Sequence, residues 1–166
     1  MRDEIENLPV YQKAKELMIL AEHISEFFKD DEQREELKAQ ILSNAMLIVI
    51  KIAGAEAAEL YTMKMENALR IKFAVKELFD AVLFARIIKI NNNDYVQLVR
   101  NTIEEFRQEF VKWIRTFDIE ADFKDDWGIR FAIDLSDDYE VKMVQAEGKD
   151  FDFDNSDFDW GFDEEE

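Results

Sequence analysis

The side chains with the most distinctive chemistry in this chain sit at its end. The last 17 residues, DFDFDNSDFDWGFDEEE, hold nine acidic and five aromatic side chains and neither Lys nor Arg. In an extended strand Asp150, Asp152 and Asp154 would face one side at intervals of about 6.8 Å, with Phe151 and Phe153 on the other. Asp157, Phe158, Asp159, Trp160 and Phe162 continue the mixture. Carboxylates on one edge and rings on the other imitate a single nucleic-acid strand, whose binders offer a basic groove and stacking platforms. These ten residues are therefore candidate partner-binding residues, fitted to a basic, partly apolar groove on a partner or on the chain itself. Two other readings exist. A disordered solubilising tail suits the charge, although five large rings are a poor choice for solvation. A calcium loop would begin Asp150-x-Asp152-x-Asp154, but the Gly at its sixth position and the Glu at its twelfth are lacking.

Elsewhere the usual catalytic kits are missing. There is no Cys and a single His, His23, so no thiolate nucleophile, zinc-thiolate site or histidine cluster can be assembled. His23 reads as a boundary residue of a helix rather than a ligand or base. Glu56, Glu59 and Glu66 do not form the Glu-x-x-His pattern of carboxylate-bridged metal bundles. The expectation is a non-enzyme with no metal and no cofactor.

Charge divides the chain that must position the acidic end. Residues 1–116 carry 17 Lys and Arg against 20 Asp and Glu, whereas residues 117–166 carry 4 against 19. A like-charged block gains little from packing, so such asymmetry marks an arm on a folded body. Three segments follow: a body over 1–116, an acidic extension over 117–149 and the acidic aromatic tail over 150–166.

The body reads as four helices. The first starts after Asn7 with Pro9 in its opening turn, where a missing N–H costs nothing. Its apolar residues Val10, Ala14, Leu17, Ala21, Ile24 and Phe28 step by 4-3-4-3-4. Asp30 or Asp31 is placed to cap the second, whose stripe is Leu37, Ile41, Ala45, Ile48 and Ile52. From Ala45 to Ala53 only Lys51 interrupts its apolarity, so more than one face is expected to be buried, and Gly54 to bend or end it. The third runs over about Thr62 to Ile90 on Ala68, Ile71, Val75, Leu78, Val82 and Ala85, with Phe73, Phe79 and Phe84 on its flanks. Residues Asn91 to Asp94 supply left-handed turn positions and an N-cap. The fourth carries Val99, Ile103, Phe106, Phe110, Trp113 and Phe117. Helices of this length with short connections predict an all-α, antiparallel up-down-up-down four-helix bundle. In the extension, Ile129, Phe131, Ile133 and Leu135 alternate, a turn follows at Ser136 to Asp138, and Tyr139, Val141 and Met143 alternate again, which predicts a C-terminal β-hairpin.

The segments LPVYQKAKELMILAEHISEFF, QILSNAMLIVIKIAGA, ENALRIKFAVKELFDAVLFARI and YVQLVRNTIEEFRQEFVKWI, in this order, resemble the four-helix bundle proteins. That family includes the 23S rRNA intervening-sequence proteins and the accessory variability determinants of diversity-generating retroelements. The most telling pieces are Leu8-Pro9-Val10-Tyr11-Gln12-Lys13-Ala14 and Trp113-Ile114. The resemblance covers about residues 5–116 and consists of packing and capping patterns. It implies a homo-oligomer, commonly a pentamer, without enzymatic activity. Retroelement members look like partners of a reverse transcriptase and of nucleic acid, through a basic surface. In this chain Lys64, Arg70, Lys72, Lys76, Arg86, Lys89, Arg100, Arg107, Lys112 and Arg115 would supply such a stripe, although the body is net acidic.

Two function classes follow. The leading one is a self-assembling helical adaptor whose tail docks on a basic site, and its alternative is a nucleic-acid-binding accessory factor of a reverse transcriptase. Grouping of the ten basic residues on one exposed face favours the second. The opening residues lack an apolar signal core, and the run from Ala45 to Ala58 is broken by Lys51 and Glu56, so a cytoplasmic protein without membrane contact is expected.

Overall fold

The computed structural model describes residues 2–122, with side chains from Glu4 onward. The chain divides into two compact units, Met1–Phe131 and Ala132–Glu166, and everything described belongs to the first. The β-hairpin expected in the extension and the ten tail residues lie outside the described part.

Among the described residues the fold is all-α. A one-turn helix, α1 (Arg2–Glu6), which the apolar pattern does not announce, precedes α2 (Pro9–Glu26), α3 (Arg34–Ala57), α4 (Tyr61–Ile87) and α5 (Asn93–Ile114). Pro9 stands at the start of α2 as expected. The capping of α3 differs from expectation. Asp31 accepts from the Gln33 N–H at 2.9 Å and so closes the turn ahead of the helix, Asp30 pairs with the Arg34 guanidinium, and Gln33 itself makes no side-chain cap. Gly54 does not end α3, which runs on to Ala57.

Between α4 and α5 the left-handed residue is Lys89, at φ 65°, rather than one of the asparagines. Its placement lets the Ile90 and Asn91 N–H groups both donate to the Ala85 carbonyl, satisfying the end of α4. Asn92 is the N-cap of α5, its side chain accepting from the Asp94 N–H at 3.0 Å.

Each long helix packs against two others: α2 on α3 and α5, and α4 on α3 and α5, with the α3 and α4 pair in the most extensive contact. The stripe of α2 is buried from Val10 to Phe28 without exception, and so is that of α3 from Leu37 to Ile52. Burying an aliphatic side chain of this size contributes about 1.5–3 kcal/mol, so these stripes dominate the stability. On α4 the buried face is rotated toward α3. Ala74 and Ala81 are buried with Ile71, Leu78 and Ala85, while Val75 is only half-buried. On α5, Val99, Phe106 and Trp113 are buried and Phe117 follows them, whereas Ile103 and Phe110 are half-buried.

Polar contacts tie the helices at several levels. The Lys29 N–H donates to the Ile90 carbonyl at 3.0 Å, joining the α2–α3 connection to the α4–α5 connection. Lys13 on α2 reaches Glu105 on α5 at 2.8 Å. Trp113 donates its indole N–H to Glu56 on α3 at 2.7 Å. Past α5 the chain turns back to α4. The Tyr61 N–H donates to the Ala121 carbonyl at 2.8 Å, and the Thr62 hydroxyl donates to Asp122 Oδ2 at 2.6 Å. Leu60, the N-cap of α4, provides no side-chain cap, so Asp122 serves the orphan donors of that first turn from 60 residues away.

Candidate functional site

Two surfaces of the helical unit depart from an ordinary solvated exterior. The first is the outer face of α3. Besides its inner stripe, this helix carries Ala39, Ser43, Met46, Ile50, Ala53 and Ala57 at 4-3-4-3-4 spacing. At about 100° per residue the two series lie on opposite sides of the helix. The inner one is buried. On the outer one Met46 and Ile50 are each 56% exposed, with Leu47 beside them at 37%. From Ala39 to Ala57 the outward positions, which also include Gln40 and Gly54, bear no charge. Among the described residues this outer face is left largely exposed. By length and composition α3 is also long and apolar enough to cross a membrane, with 33% of its most apolar stretch buried inside the protein.

The second surface lies along α4 and α5. Lys72, Lys76, Phe79, Leu83 and Arg86 recur at 4-3-4-3 on α4, and Asn93, Gln97, Arg100, Glu104, Arg107 and Val111 at 4-3-4-3-4 on α5. These two ridges flank the contact between the helices. The Arg100 guanidinium sits 5.5 Å from the centre of the Phe79 ring, and Arg86 donates to the Asn93 side chain at 3.0 Å. The named ridge positions thus hold five cations and one carboxylate, that of Glu104, in a body whose overall charge is negative. Arg107 holds that carboxylate with two hydrogen bonds of 2.8 and 2.6 Å and pulls its pKa below the usual value. Among the described residues Lys72, Lys76 and Arg100 have no carboxylate partner. Apolar surface lies among the charges: Phe79, Leu83 and Val111 are half-buried, and Leu69, one step earlier on the α4 ridge, is 39% exposed.

The expected basic residues are thus brought together only in part. Lys72, Lys76, Arg86, Arg100 and Arg107 share the ridges. Lys64 is nearby, 5.4 Å from the centre of the Phe117 ring. Arg70 falls on the side of α4 nearer α3, and Lys112 pairs with Glu109 at 2.8 Å on another flank of α5. His23 is exposed, Glu59 and Glu66 are exposed, and Glu56 is engaged by Trp113. Among the described residues no cluster of His, Asp or Glu could hold a metal ion.

The outer series of α3 is legible in the sequence as a second 4-3 seam beside the inner one. The junction around Tyr61 is not, because its partners are distant in the chain. Burial first, and then the nearby Asp122 carboxylate, pushes the Tyr61 phenol pKa upward. No protein-family model matches the chain, and no curated protein matches it either.

Proposed function

We propose that this protein is a non-enzymatic, self-assembling helical adaptor, whose body is an antiparallel up-down-up-down four-helix bundle that associates with further copies through the outer face of α3. The observation that carries this reading is the second, charge-free seam on that helix. A helix apolar on two opposite sides stays soluble only if both sides are covered. The small residues Ala39, Ser43, Ala53, Gly54 and Ala57 would let an identical helix approach closely, while Met46 and Ile50 would fill the seam between them. A bilayer is a poorer occupant, because the helices packed on either side of α3 present exposed charges such as Lys15, Glu22, Glu66 and Arg70 that would have to enter it.

The bundle topology is supported by the hydrogen bond joining the α2–α3 and α4–α5 connections, and by the return of the chain after α5 to the start of α4. The resemblance to four-helix bundle proteins points the same way and suggests a pentamer. In this reading the terminal segment, through Phe151, Phe153, Phe158, Trp160 and Phe162 with Asp150, Asp152, Asp154, Asp157 and Asp159 beside them, docks on a basic, partly apolar site. A cytoplasmic location goes with it. Sedimentation or light scattering of the intact chain across a micromolar concentration series tests the assembly. A discrete oligomer is expected, and a stable monomer at about 50 µM overturns the reading. Binding to lipid vesicles by a monomeric chain overturns it in favour of a membrane surface.

A second reading is favoured by the basic ridges: a nucleic-acid-binding accessory factor of a reverse transcriptase. Lys72, Lys76, Arg100 and Arg107 would meet the phosphates and Lys64, Arg70 and Lys112 would extend the surface. Its affinity for an oligonucleotide should fall steeply with salt.

A further inference from the structure

We infer that α3 meets the same helix of a second copy running in the opposite direction, in one fixed register, about a two-fold axis that passes beside Leu47. This rests on the proposed assembly through the outer seam and on the antiparallel bundle, and it names how the two copies are arranged. The order of bulk along the seam is the first support. Read from either end, Ala39, Ser43, Met46, Ile50, Ala53 and Ala57 run small, small, large, large, small, small, at spacings that are themselves symmetric. Antiparallel pairing sets Met46 against Ile50 of the other copy, Ser43 against Ala53 and Ala39 against Ala57. Large meets large at the centre, and the small ends close together. A slip of one heptad would oppose Met46 and Ile50, each 56% exposed, to small residues only. Charge then decides direction. The next seam position before Ala39 is Glu36, which is exposed, with Glu35 beside it. Parallel pairing in register would set these carboxylates against their own copies and align the two helix dipoles, and the reversed pairing avoids both.

The neighbouring helix supplies an independent support. A Cβ added at Gly54 would lie 3.4 Å from the Asn67 side chain, so Gln40, Leu47 and Gly54 form the flank of α3 nearer α4. Seven residues back along α3 and seven on along an antiparallel α4 bring Leu47 level with Ala74. Antiparallel helix pairs bring like flanks together, so α4 of one copy runs alongside α4 of the other with the axis near that level. Arg70 and Glu77 are both exposed, lie on the α3 side of α4 and stand at nearly equal distances either side of Ala74. Among the described residues neither forms an ion pair. The two-fold turns Arg70 of each copy toward Glu77 of the other, and Phe73, 54% exposed, stands between them in level. A contact of this kind closes with two copies, so a larger ring would need a different face.

The chain has no Cys, so the full-length protein carrying both Ser43→Cys and Ala53→Cys reports the direction of pairing. Within one helix these positions are about 15 Å apart, too far for a disulfide, so any bond joins two copies. After oxidation by copper phenanthroline in air, cleavage at Lys38, Lys51 and Lys64 releases the segments 39–51 and 52–64 for mass spectrometry. The expected product joins 39–51 to 52–64. Each segment joined to itself overturns the inference and leaves assembly through α3 standing. An oligomer that yields neither bond has its copies meeting elsewhere, which overturns both, and a monomer by sedimentation removes the assembly reading and this inference with it. Arg70→Glu should weaken association about tenfold with the helical spectrum unchanged, because it places two like-charged pairs across the axis. Adding Glu77→Arg in the same chain should restore association, since each pair is rebuilt with its signs exchanged. Association indifferent to Arg70→Glu, or weakened further by Glu77→Arg, overturns the inference.

Discussion

Placing a charge at the centre of the outer α3 seam should separate the copies without unfolding them. Full burial of an Ile or Met side chain is worth about 1.5–3 kcal/mol. Met46 and Ile50 each retain 56% exposure and Leu47 retains 37%, so covering them adds roughly 3 kcal/mol per copy, or about 6 across a symmetric pair. Ile50→Glu removes the Ile50 share on both sides and requires two carboxylates to be stripped of water next to each other. A loss of at least about 3 kcal/mol in association is expected, more than about 100-fold in dissociation constant. The readout is sedimentation velocity at matched concentrations, with circular dichroism to confirm the fold. Since Glu is a good helix former and residue 50 points outward, the helical signal should be unchanged. Met46→Gln, neutral and of similar length, should weaken assembly by less. If Ile50→Glu sediments at the parent's mass, the seam is not an interface and the reasoning from its apolarity is wrong.

Three further outcomes follow from the helix ends and the ridge. Asp122→Ala should destabilise the unit by about 0.5–2 kcal/mol in thermal or urea melts, because the first turn of α4 loses its distant cap; an unchanged midpoint would show that the return contact is incidental. Lys89→Gly should raise stability by about 1 kcal/mol, since a side chain at φ 65° is strained and Gly is not; a lower midpoint counts against that strain. Glu104 binds its proton less readily in the fold than in the unfolded chain, so its contribution is complete above the ordinary carboxylate range and lost as pH falls through its lowered pKa. Carbon-detected titration should show Arg107→Gln returning Glu104 toward its ordinary pKa, and a Glu104 pKa indifferent to that change would remove Arg107 as the cause.

The apolar spacing carried most of the fold because it records one-dimensional neighbours on a helix face. Every residue of the α2 stripe is buried where the 4-3 rhythm puts it. On α4 the rhythm alone placed Val75 inside and missed Ala74, because the extensive contact with α3 turns the helix toward that neighbour and small residues give no strong periodic signal. Asp122 could not be read as the cap of α4, since nothing local links residues 60 apart. Gly54 looked like a stop. It lies in the last turn of α3, which continues to Ala57, and an added Cβ would sit 3.4 Å from the Asn67 side chain. The basic residues were identifiable by type, but their division between ridge and flank depends on helix phase and on contacts such as that of Arg100 with Phe79.

The two seams of α3 also pose a problem for the folding chain itself. Rotated half a turn about its axis, the helix would still offer an apolar stripe to α2 and α4, so polarity alone scarcely distinguishes the two orientations. Bulk does. The inner series is Leu37, Ile41, Ala45, Ile48 and Ile52, whereas the outer one is mostly Ala and Ser with Met46 and Ile50. In the inverted orientation Ala39, Ser43, Ala53 and Ala57 would leave voids where branched side chains now fill space, at about 24 cal/mol per Å³ of empty volume. Substitutions that enlarge the small outer residues, such as Ala53→Ile, would narrow that gap. They would populate a competing packing of the same helices, seen as doubled resonances rather than as lost helix.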